Sequence, residues 1–284
     1  MRLFSNFMNI KESVLEGNNL LSDSLAANVL LAFVLEKNKE YLITHSEENI
    51  DDKNYNKYVS LIRRHHSGEP ISYLTGVKEF FGLEFFVNKN VLIPRPETEH
   101  IVEKIIELAN RDFKNKNISI LDIGTGSGNI AVSLGVHIKN SVITAVDIST
   151  EALKVADINL KKHGLEDKIK IFQSDLLSDV DDKFDVIVAN LPYIGTKENN
   201  YIAYEVENFE PHVALFGGNN GLELYEKLFA QIQKKKCFKR YFLGEIGISQ
   251  KENLEKLIKK YFPEKKYRVF QDLAGFDRYF IVNY

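Results

Sequence analysis

Residues 94–284 are predicted to form an α/β fold with a mostly parallel, doubly wound sheet, and residues 1–76 are predicted to form a small helical bundle. Three observations predict this arrangement. From residue 94 onwards, continuous apolar runs alternate with amphipathic segments, which is the pattern of buried parallel strands and their crossover helices. A glycine-rich turn joins the first strand of this region to its helix. Before residue 77, apolar residues recur at helical spacing.

The helical region contains no pattern that indicates chemistry. The segments SDSLAANVLLAFVLEKNKEYLI and NYNKYVSLIRRHHSGEP both show helical periodicity, and Gly68 and Pro70 end the second. The adjacent His65 and His66 would point in different directions from a helix, so we interpret them as a solvated helix end and not as metal ligands. We expect this region to dock a partner.

A β-hairpin is predicted to connect the two regions, over residues 77–93. Polar and apolar residues alternate sufficiently in the stretches KEFFG and LEFFVN, around Gly82, to indicate two short strands. In the α/β region the predicted strands are 118–124, 141–149, 168–175, 184–190, 240–246, 267–272 and 276–284. The predicted helices are 100–113, 129–138, 150–164, 221–235 and 249–262. The last two strands are expected to close the sheet as a hairpin.

Composition and charge narrow the functional class. The 284 residues are 44% hydrophobic and 27% charged, as in soluble globular proteins. The net charge of -3 does not suit stable binding to a long nucleic acid. A single cysteine, Cys237, excludes an intrachain disulfide and a cysteine-based zinc cluster. With no apolar run of about 18–20 residues and no signal-peptide pattern, we expect a cytoplasmic protein without membrane association.

A glycine-rich loop and two acidic residues predict a ligand site at one edge of the sheet. Gly124, Gly126 and Gly128 lie between the first strand and its helix, in the spacing G-x-G-x-G. Asp147 ends the second strand, where a carboxylate can bind ribose hydroxyls, and Asp175 ends the third, beside the expected position of an adenine. Tight strand–helix packing and helix capping are the alternative interpretations of these residues.

This pattern resembles the class I S-adenosylmethionine-dependent methyltransferases, which have a Rossmann-like fold. The resemblance implies a seven-stranded sheet in the order 3-2-1-4-5-7-6, with the last strand antiparallel. It also implies that the loop after the fourth strand holds the methyl acceptor. Asp122, two residues before Gly124, is expected to orient the glycine loop or to meet the amino group of the ligand.

The loop after the fourth strand has the sequence Asn190-Leu191-Pro192-Tyr193. Methyl transfer to a planar nitrogen requires acceptors for both of its N–H groups and an in-line geometry. The Asn190 side-chain oxygen supplies one acceptor, and the Leu191 carbonyl supplies the second because Pro192 restricts Leu191. Tyr193 offers a flat face to the acceptor group. Such acceptors stabilise the positive charge that develops on nitrogen, so neither a metal nor a catalytic base is expected. An Asn–X–Pro turn is the alternative interpretation.

These four residues resemble the [DN]-P-P-[YF] signature of methyltransferases that act on glutamine, adenine or guanine, with Leu191 replacing the first proline. The segment GEPISYLTGVKEFFGLEFFVNKNVLIPRPETEHIVE resembles the PrmC/HemK family of protein-(glutamine-N5) methyltransferases. The later segments ALFGGNNGLELYEKL, GEIGISQ and FQDLAGFDRYFIV match the same family in order. Residues 94–284 are therefore expected to be the methyltransferase domain, and residues 1–76 the domain that docks the substrate protein.

The resemblance implies transfer of a methyl group from S-adenosylmethionine to the glutamine of the Gly-Gly-Gln motif in class I peptide chain release factors. The cofactor contacts expected from the loop pattern and the resemblance are Gly124, Thr125, Gly126, Ser127, Gly128, Asp147, Asp175, Leu176 and Asn190. The glutamine pocket is expected to comprise Asn190, Leu191, Pro192 and Tyr193. Arg95, Glu97 and Glu99 suit a helix entrance and receive no catalytic role.

Other functions stay open on the residues alone. A glutamine methyltransferase for a ribosomal protein shares this loop. An adenine-N6 methyltransferase of nucleic acid would need a basic recognition region, and Arg63 and Arg64 are its only candidates in the helical region. A nicotinamide oxidoreductase would require G-x-G-x-x-G. A non-catalytic scaffold would be expected to lack Asn190 or the glycines.

Overall fold

A computed structural model describes residues 8–114, 116–196 and 202–283. Residues 1–7 of the predicted helical region and Tyr284 of the last predicted strand lie outside the described residues. The chain forms two compact units. One unit runs to Gly76 and includes Ala203–Phe209, and the other consists of Val77–Ile202 and Glu210–Tyr284. The inclusion of Ala203–Phe209 in the first unit was not expected from the sequence.

The first unit is helical, as predicted. Its helices before the hairpin are α1 (Ile10–Leu21), α2 (Ser24–Leu35), α3 (Lys39–Thr44), α4 (Asp52–His66) and α5 (Ile71–Thr75). Short polar side chains begin four of them: Asn9, Asp23, Asn38 and Asp51 each accept a hydrogen bond from a first-turn amide. The apolar faces of these helices bury a shared core.

A two-stranded antiparallel hairpin of β1 (Val77–Phe80) and β2 (Leu83–Phe86) follows, which confirms the predicted hairpin. Phe81 and Gly82 both have positive φ, at 51° and 70°, as the tight turn requires. The Glu99 carboxylate accepts the Phe81 amide at 2.8 Å. Buried Asn159 bonds both backbone groups of Phe86 and also donates to the Ser127 carbonyl, so it links the hairpin to the glycine loop.

The second unit contains a seven-stranded sheet within its described residues. Its strands are β3 (Ile118–Ile123), β4 (Ser141–Asp147), β5 (Ile169–Gln173), β6 (Phe184–Ala189), β7 (Phe238–Glu245), β8 (Lys266–Gln271) and β9 (Asp277–Asn283). The strand order is β5-β4-β3-β6-β7-β9-β8, with β9 antiparallel to both neighbours. This is the predicted order of the class I methyltransferase fold.

Six α-helices follow the hairpin within the described residues, of which five match predicted helices and α9 was not predicted. They are α6 (Glu99–Asp112), α7 (Asn129–His137), α8 (Thr150–Lys162), α9 (Tyr204–Phe209), α10 (Glu223–Lys235) and α11 (Lys251–Tyr261), of which α9 belongs to the first unit. Among the described residues, no helix has the length and apolar composition required to cross a bilayer.

The sheet topology determines where a ligand can bind. β3 pairs with β4 on one side and β6 on the other, so the direction of the strand order changes at β3. The carboxyl ends of β3 to β7 lie at one edge because these strands are parallel. Ligands of open α/β sheets bind at this edge, beside such a change of direction.

Candidate active site

A cavity of about 250 Å³ lies at the carboxyl edge of the sheet. Ten of the twelve predicted site residues line it, while Gly128 and Tyr193 do not. The ten are Gly124, Thr125, Gly126, Ser127, Asp147, Asp175, Leu176, Asn190, Leu191 and Pro192. The structure therefore brings the loops after β3, β4, β5 and β6 to one cavity.

The glycine loop passes close to the loop after β6. The amides of Gly124 and Thr125 both donate to the Val146 carbonyl, at 2.8 and 3.0 Å. A Cβ on Gly124 would lie 3.2 Å from Leu191 Cδ2, and Gly124 has a φ of 73°. Glycine therefore allows the loop that is predicted to bind the cofactor to contact the loop that is predicted to bind the substrate.

Gly128 has a different environment from the one expected. It begins α7 with a φ of 81°, and a Cβ there would lie 3.4 Å from Ala156 Cβ on α8. Close packing against α8 and a positive φ account for a glycine at this position. Gly128 does not line the cavity. The expected contact between Gly128 and the cofactor stays a prediction.

Asp147 connects the end of β4 to the glycine loop. Its carboxylate accepts the Gly126 amide through Oδ2 and the Ser149 amide through Oδ1, both at 2.9 Å. Burial raises the pKa of Asp147, while these amides act in the opposite direction. Each carboxylate oxygen can accept a further hydrogen bond, so Asp147 keeps the capacity to bind hydroxyl groups of a ligand.

Asp122 lies in β3 beneath the glycine loop and is fully buried. Its Oδ2 accepts the Thr125 hydroxyl at 2.7 Å. Burial raises the pKa of Asp122 to about 7, although the hydrogen bond from Thr125 opposes this effect. Asp122 is absent from the cavity wall, so its contact with Thr125 supports the first of its two expected roles, which is to orient the loop.

The loop after β5 places Asp175 and Leu176 in the cavity wall. The half-exposed Asp175 carboxylate pairs with Lys227 of α10, a partner that the sequence did not indicate. Leu176 is buried and has a φ of 54°, which is costly for a residue with a side chain. The Ser174 hydroxyl donates to the Leu176 carbonyl at 2.9 Å and so stabilises this conformation.

Asn190 is oriented by two residues that the sequence interpretation missed. Its Nδ2 donates to Thr98 Oγ1 and to Glu245 Oε2, both at 3.1 Å. The Thr98 hydroxyl in turn donates to Glu245 Oε2 at 2.6 Å. These contacts occupy the nitrogen end of the Asn190 side chain and leave its oxygen as the acceptor of the group.

The rest of this loop is held on several sides. The Leu191 side chain is buried in the core of the second unit, and Pro192 lines the cavity. The Tyr193 hydroxyl donates to Glu245 Oε1 at 3.2 Å, and Gln250 Nε2 donates to the Tyr193 carbonyl at 2.7 Å. Tyr193 therefore supports the loop from outside the cavity wall, and its expected stacking role stays a prediction.

Glu245, at the end of β7, could have been found by the same reasoning that identified Asp147, because both are acids at strand ends. Thr98 is the last residue of a 3₁₀ turn directly before α6, where no strand-end pattern applies. Arg95 lines the cavity and pairs with buried Glu210, and Glu99 holds the hairpin turn. Both residues therefore have structural partners, which fits the helix entrance that the sequence predicts at this segment.

Across the described ranges, no three or more histidine, cysteine, aspartate or glutamate side chains are grouped as metal ligands. The polar side chains that line the cavity include the Asp147 and Asp175 carboxylates, the Asn190 carboxamide, the Arg95 guanidinium and several hydroxyl groups. Such an arrangement can bind hydroxyl and amide groups and stabilise a developing cation.

Two protein families and several named enzymes are similar to this chain. The Methyltransferase small domain family matches residues 104–207, and the PrmC N-terminal domain family matches residues 11–76. The chain is 38% identical to the release factor glutamine methyltransferase of Koribacter versatilis, over 93% of this chain and 92% of that protein. It is 35% identical to the enzyme of the same name from Bacillus cereus, over 90% of this chain and 91% of that protein.

Among solved structures, the human Mettl16 catalytic domain in complex with the MAT2A 3′UTR hairpin 6 has a similar fold. The TM-score is 0.57, at 16% sequence identity over 89% of this chain and 91% of that chain. This likeness supports the class I fold.

Proposed function

Because the chain belongs to the release factor glutamine methyltransferase family, we propose that it methylates the glutamine of the Gly-Gly-Gln motif in class I peptide chain release factors. The methyl group comes from S-adenosylmethionine, and the acceptor is the side-chain amide nitrogen. The observation that carries the proposal is the orientation of Asn190, whose nitrogen is bound by Thr98 and Glu245 so that its oxygen is left to accept an amide hydrogen.

The residues of the cavity fit the cofactor. A Cβ added to Gly126 would meet no atom within 4 Å, so the loop leaves open space beside it. Asp147 keeps acceptor capacity for ribose hydroxyls, and Ile148 and Leu176 provide apolar surface for an adenine. When bound, S-adenosylmethionine supplies an electrophilic methyl group on a sulfonium sulfur.

The contribution of this chain is to position the glutamine nitrogen. The Asn190 Oδ1 accepts one N–H of the substrate carboxamide, and the Leu191 carbonyl accepts the other, with Pro192 restricting the backbone of Leu191. Two acceptors hold the nitrogen in line with the methyl group, so little orientational freedom is lost during the reaction. They also stabilise the positive charge that develops on nitrogen before its proton leaves.

The substrate protein is expected to contact both compact units. Residues 11–76 match the PrmC N-terminal domain, and this part of the chain shows no catalytic signal. We propose that it docks the release factor while the second unit carries out the transfer. The division of the chain into a docking domain to residue 76, a linker at 77–93 and a methyltransferase domain from 94 is part of this proposal.

Methyl transfer can be tested with the purified chain, radiolabelled S-adenosylmethionine and a class I release factor. We expect label on the glutamine of the Gly-Gly-Gln motif, located by mass spectrometry, and no label when that glutamine is replaced by asparagine. Label on another residue, or none on the wild-type release factor, would contradict the proposal.

The role of Asn190 can be tested in the same assay. Asn190→Ala should lower kcat by roughly 100-fold or more, as the loss of a group that binds developing charge does in other enzymes. Its affinity for the cofactor, measured by calorimetry, should stay measurable because the glycine loop and Asp147 are unchanged. Undiminished turnover would exclude the proposed role.

A further inference from the structure

A carboxamide has two ends of opposite hydrogen-bonding character. Rotation of the Asn190 side chain by 180° exchanges its oxygen acceptor with its NH₂ donor at almost no change in shape. Only the orientation with the oxygen towards the substrate can accept an N–H of the glutamine. In the reverse orientation, two NH₂ groups would face each other. The reaction therefore needs a device that selects one orientation.

Glu245 and Thr98 together present only acceptors to Asn190. An ionised carboxylate has no hydrogen to donate, so Glu245 Oε2, which lies 3.1 Å from Asn190 Nδ2, can only accept. The Thr98 hydroxyl donates its hydrogen to Glu245 Oε2 at 2.6 Å, which leaves its lone pairs for Asn190 Nδ2 at 3.1 Å. Both partners thus require the nitrogen of the carboxamide on their side.

This acceptor pair is rigidly placed. Glu245 and Thr98 are each 1% exposed, so water cannot replace either partner. The Tyr225 hydroxyl lies 2.6 Å from the Glu245 carbonyl and 3.0 Å from the Ala189 carbonyl, which joins the ends of β7 and β6. Glu245 Oε1 accepts the Tyr193 hydroxyl, so one carboxylate contacts both polar side chains of the loop after β6.

We propose that Glu245 and Thr98 are positioning residues that hold the Asn190 oxygen towards the substrate glutamine. The inference rests on the proposed function of the site. The negative charge of Glu245 also polarises the Asn190 carboxamide, which makes its oxygen a stronger acceptor for the nitrogen that becomes positive. Neither residue is required to contact the substrate.

Protonation of Glu245 would remove this selection, because a carboxylic acid can donate to the Asn190 oxygen. Burial raises the pKa of Glu245, and Glu97 acts in the same direction, while Thr98, Tyr193 and Arg278 oppose it. The Arg278 guanidinium on β9 is itself held by Asp272. Turnover should therefore fall on the acid side, as pH decreases through the raised pKa of Glu245.

Three variants and one control test the inference. Glu245→Gln keeps the shape of the side chain but can present a donor, and Thr98→Val keeps the shape but removes the hydroxyl. We expect each to lower kcat by roughly 10- to 100-fold, the effect of a lost hydrogen bond to a charged group, with the cofactor dissociation constant changed less than about threefold. Thr98→Ser retains the hydroxyl and should recover most of kcat. Glu226→Gln, which alters an exposed ion pair with Lys260, is the matched control.

The pH profile separates positioning from general damage. Wild-type kcat should show an acid limb, and Glu245→Gln should flatten it, whereas a loss through misfolding would lower the whole profile without changing its shape. Wild-type activity on the release factor with unchanged kcat in both Glu245→Gln and Thr98→Val would overturn the inference. Absence of wild-type activity would instead overturn the proposed function. If Glu245→Gln does not fold, the comparison of Thr98→Val with Thr98→Ser decides.

Discussion

The buried carboxylate of Asp122 should make the stability of the second unit depend on pH. Burial raises its pKa from the ordinary value of 3.8 to about 7. The folded state therefore holds the proton to a higher pH than the unfolded state does. Proton binding by Asp122 therefore contributes fully to the free energy of unfolding below pH 4, and this contribution is lost as pH rises through 7. At about 1.36 kcal/mol per pKa unit, the total loss is roughly 4 kcal/mol, of which roughly 2–3 kcal/mol develops between pH 5 and 8.

Asp122→Asn removes this titration, and its amide oxygen can still accept the Thr125 hydroxyl. We expect the free energy of unfolding of the variant, relative to wild type, to rise by roughly 2–3 kcal/mol between pH 5 and 8. Urea denaturation without cofactor, at constant ionic strength, measures this difference at each pH. Thr125→Val removes a group that lowers the pKa and should steepen the dependence. A difference that stays constant from pH 5 to 8 would refute the reasoning.

Three further predictions concern the two loops. Asp147→Ala should weaken cofactor binding by roughly tenfold or more in calorimetry, because it removes the acceptor for ribose and the contact with the Gly126 amide. An unchanged dissociation constant would count against Asp147 as a cofactor contact. Gly126→Ala and Gly164→Ala are a matched pair, because both glycines have positive φ and open space for a Cβ. Each should lose about 1 kcal/mol of stability, but only Gly126→Ala should weaken cofactor binding; equal affinities would contradict this assignment. Leu191→Pro should keep kcat within about threefold, because a backbone carbonyl is common to both residues. It should lower thermal stability, because the buried Leu191 side chain is lost from the core. A kcat loss as large as that of Asn190→Ala would refute the role of the Leu191 carbonyl as a substrate acceptor.

The strands of the sheet could be predicted because their signals are local in sequence, whereas their order was implied by the resemblance to the methyltransferase family. The run Val186, Ile187, Val188 and Ala189 is apolar throughout since β6 is buried on both faces in the middle of the sheet. The glycines after β3 and Asp147 at the end of β4 mark strand ends directly. Parallel strands then place those ends at one edge, so the cavity wall follows from the topology.

The support of the site could not be predicted in the same way. Thr98 and Glu245 are separated by 147 residues, and Asn190 lies 92 and 55 residues from them, respectively. No local pattern shows which side chains will meet over such distances. The pairing of Asp175 with Lys227, 52 residues away, was unexpected for the same reason. Local pattern identifies residues at an edge, but tertiary packing decides their partners.

The acids at the strand ends share one physical role. Asp122 accepts the Thr125 hydroxyl, Asp147 accepts the Gly126 amide, and Glu245 accepts Asn190 and Thr98. Burial raises the pKa of all three carboxyl groups, so each charge costs folding free energy.

The same buried acids favour catalysis, because the loop groups that they orient need no reorganisation as positive charge develops on the substrate nitrogen. Replacement by the neutral amide should therefore act in opposite directions on the two properties. At pH 8, Asp122→Asn is expected to stabilise the fold because it removes a buried charge. It is expected to lower turnover because a neutral amide holds the Thr125 hydroxyl less firmly than a carboxylate does. A residue that served packing alone would lose both together.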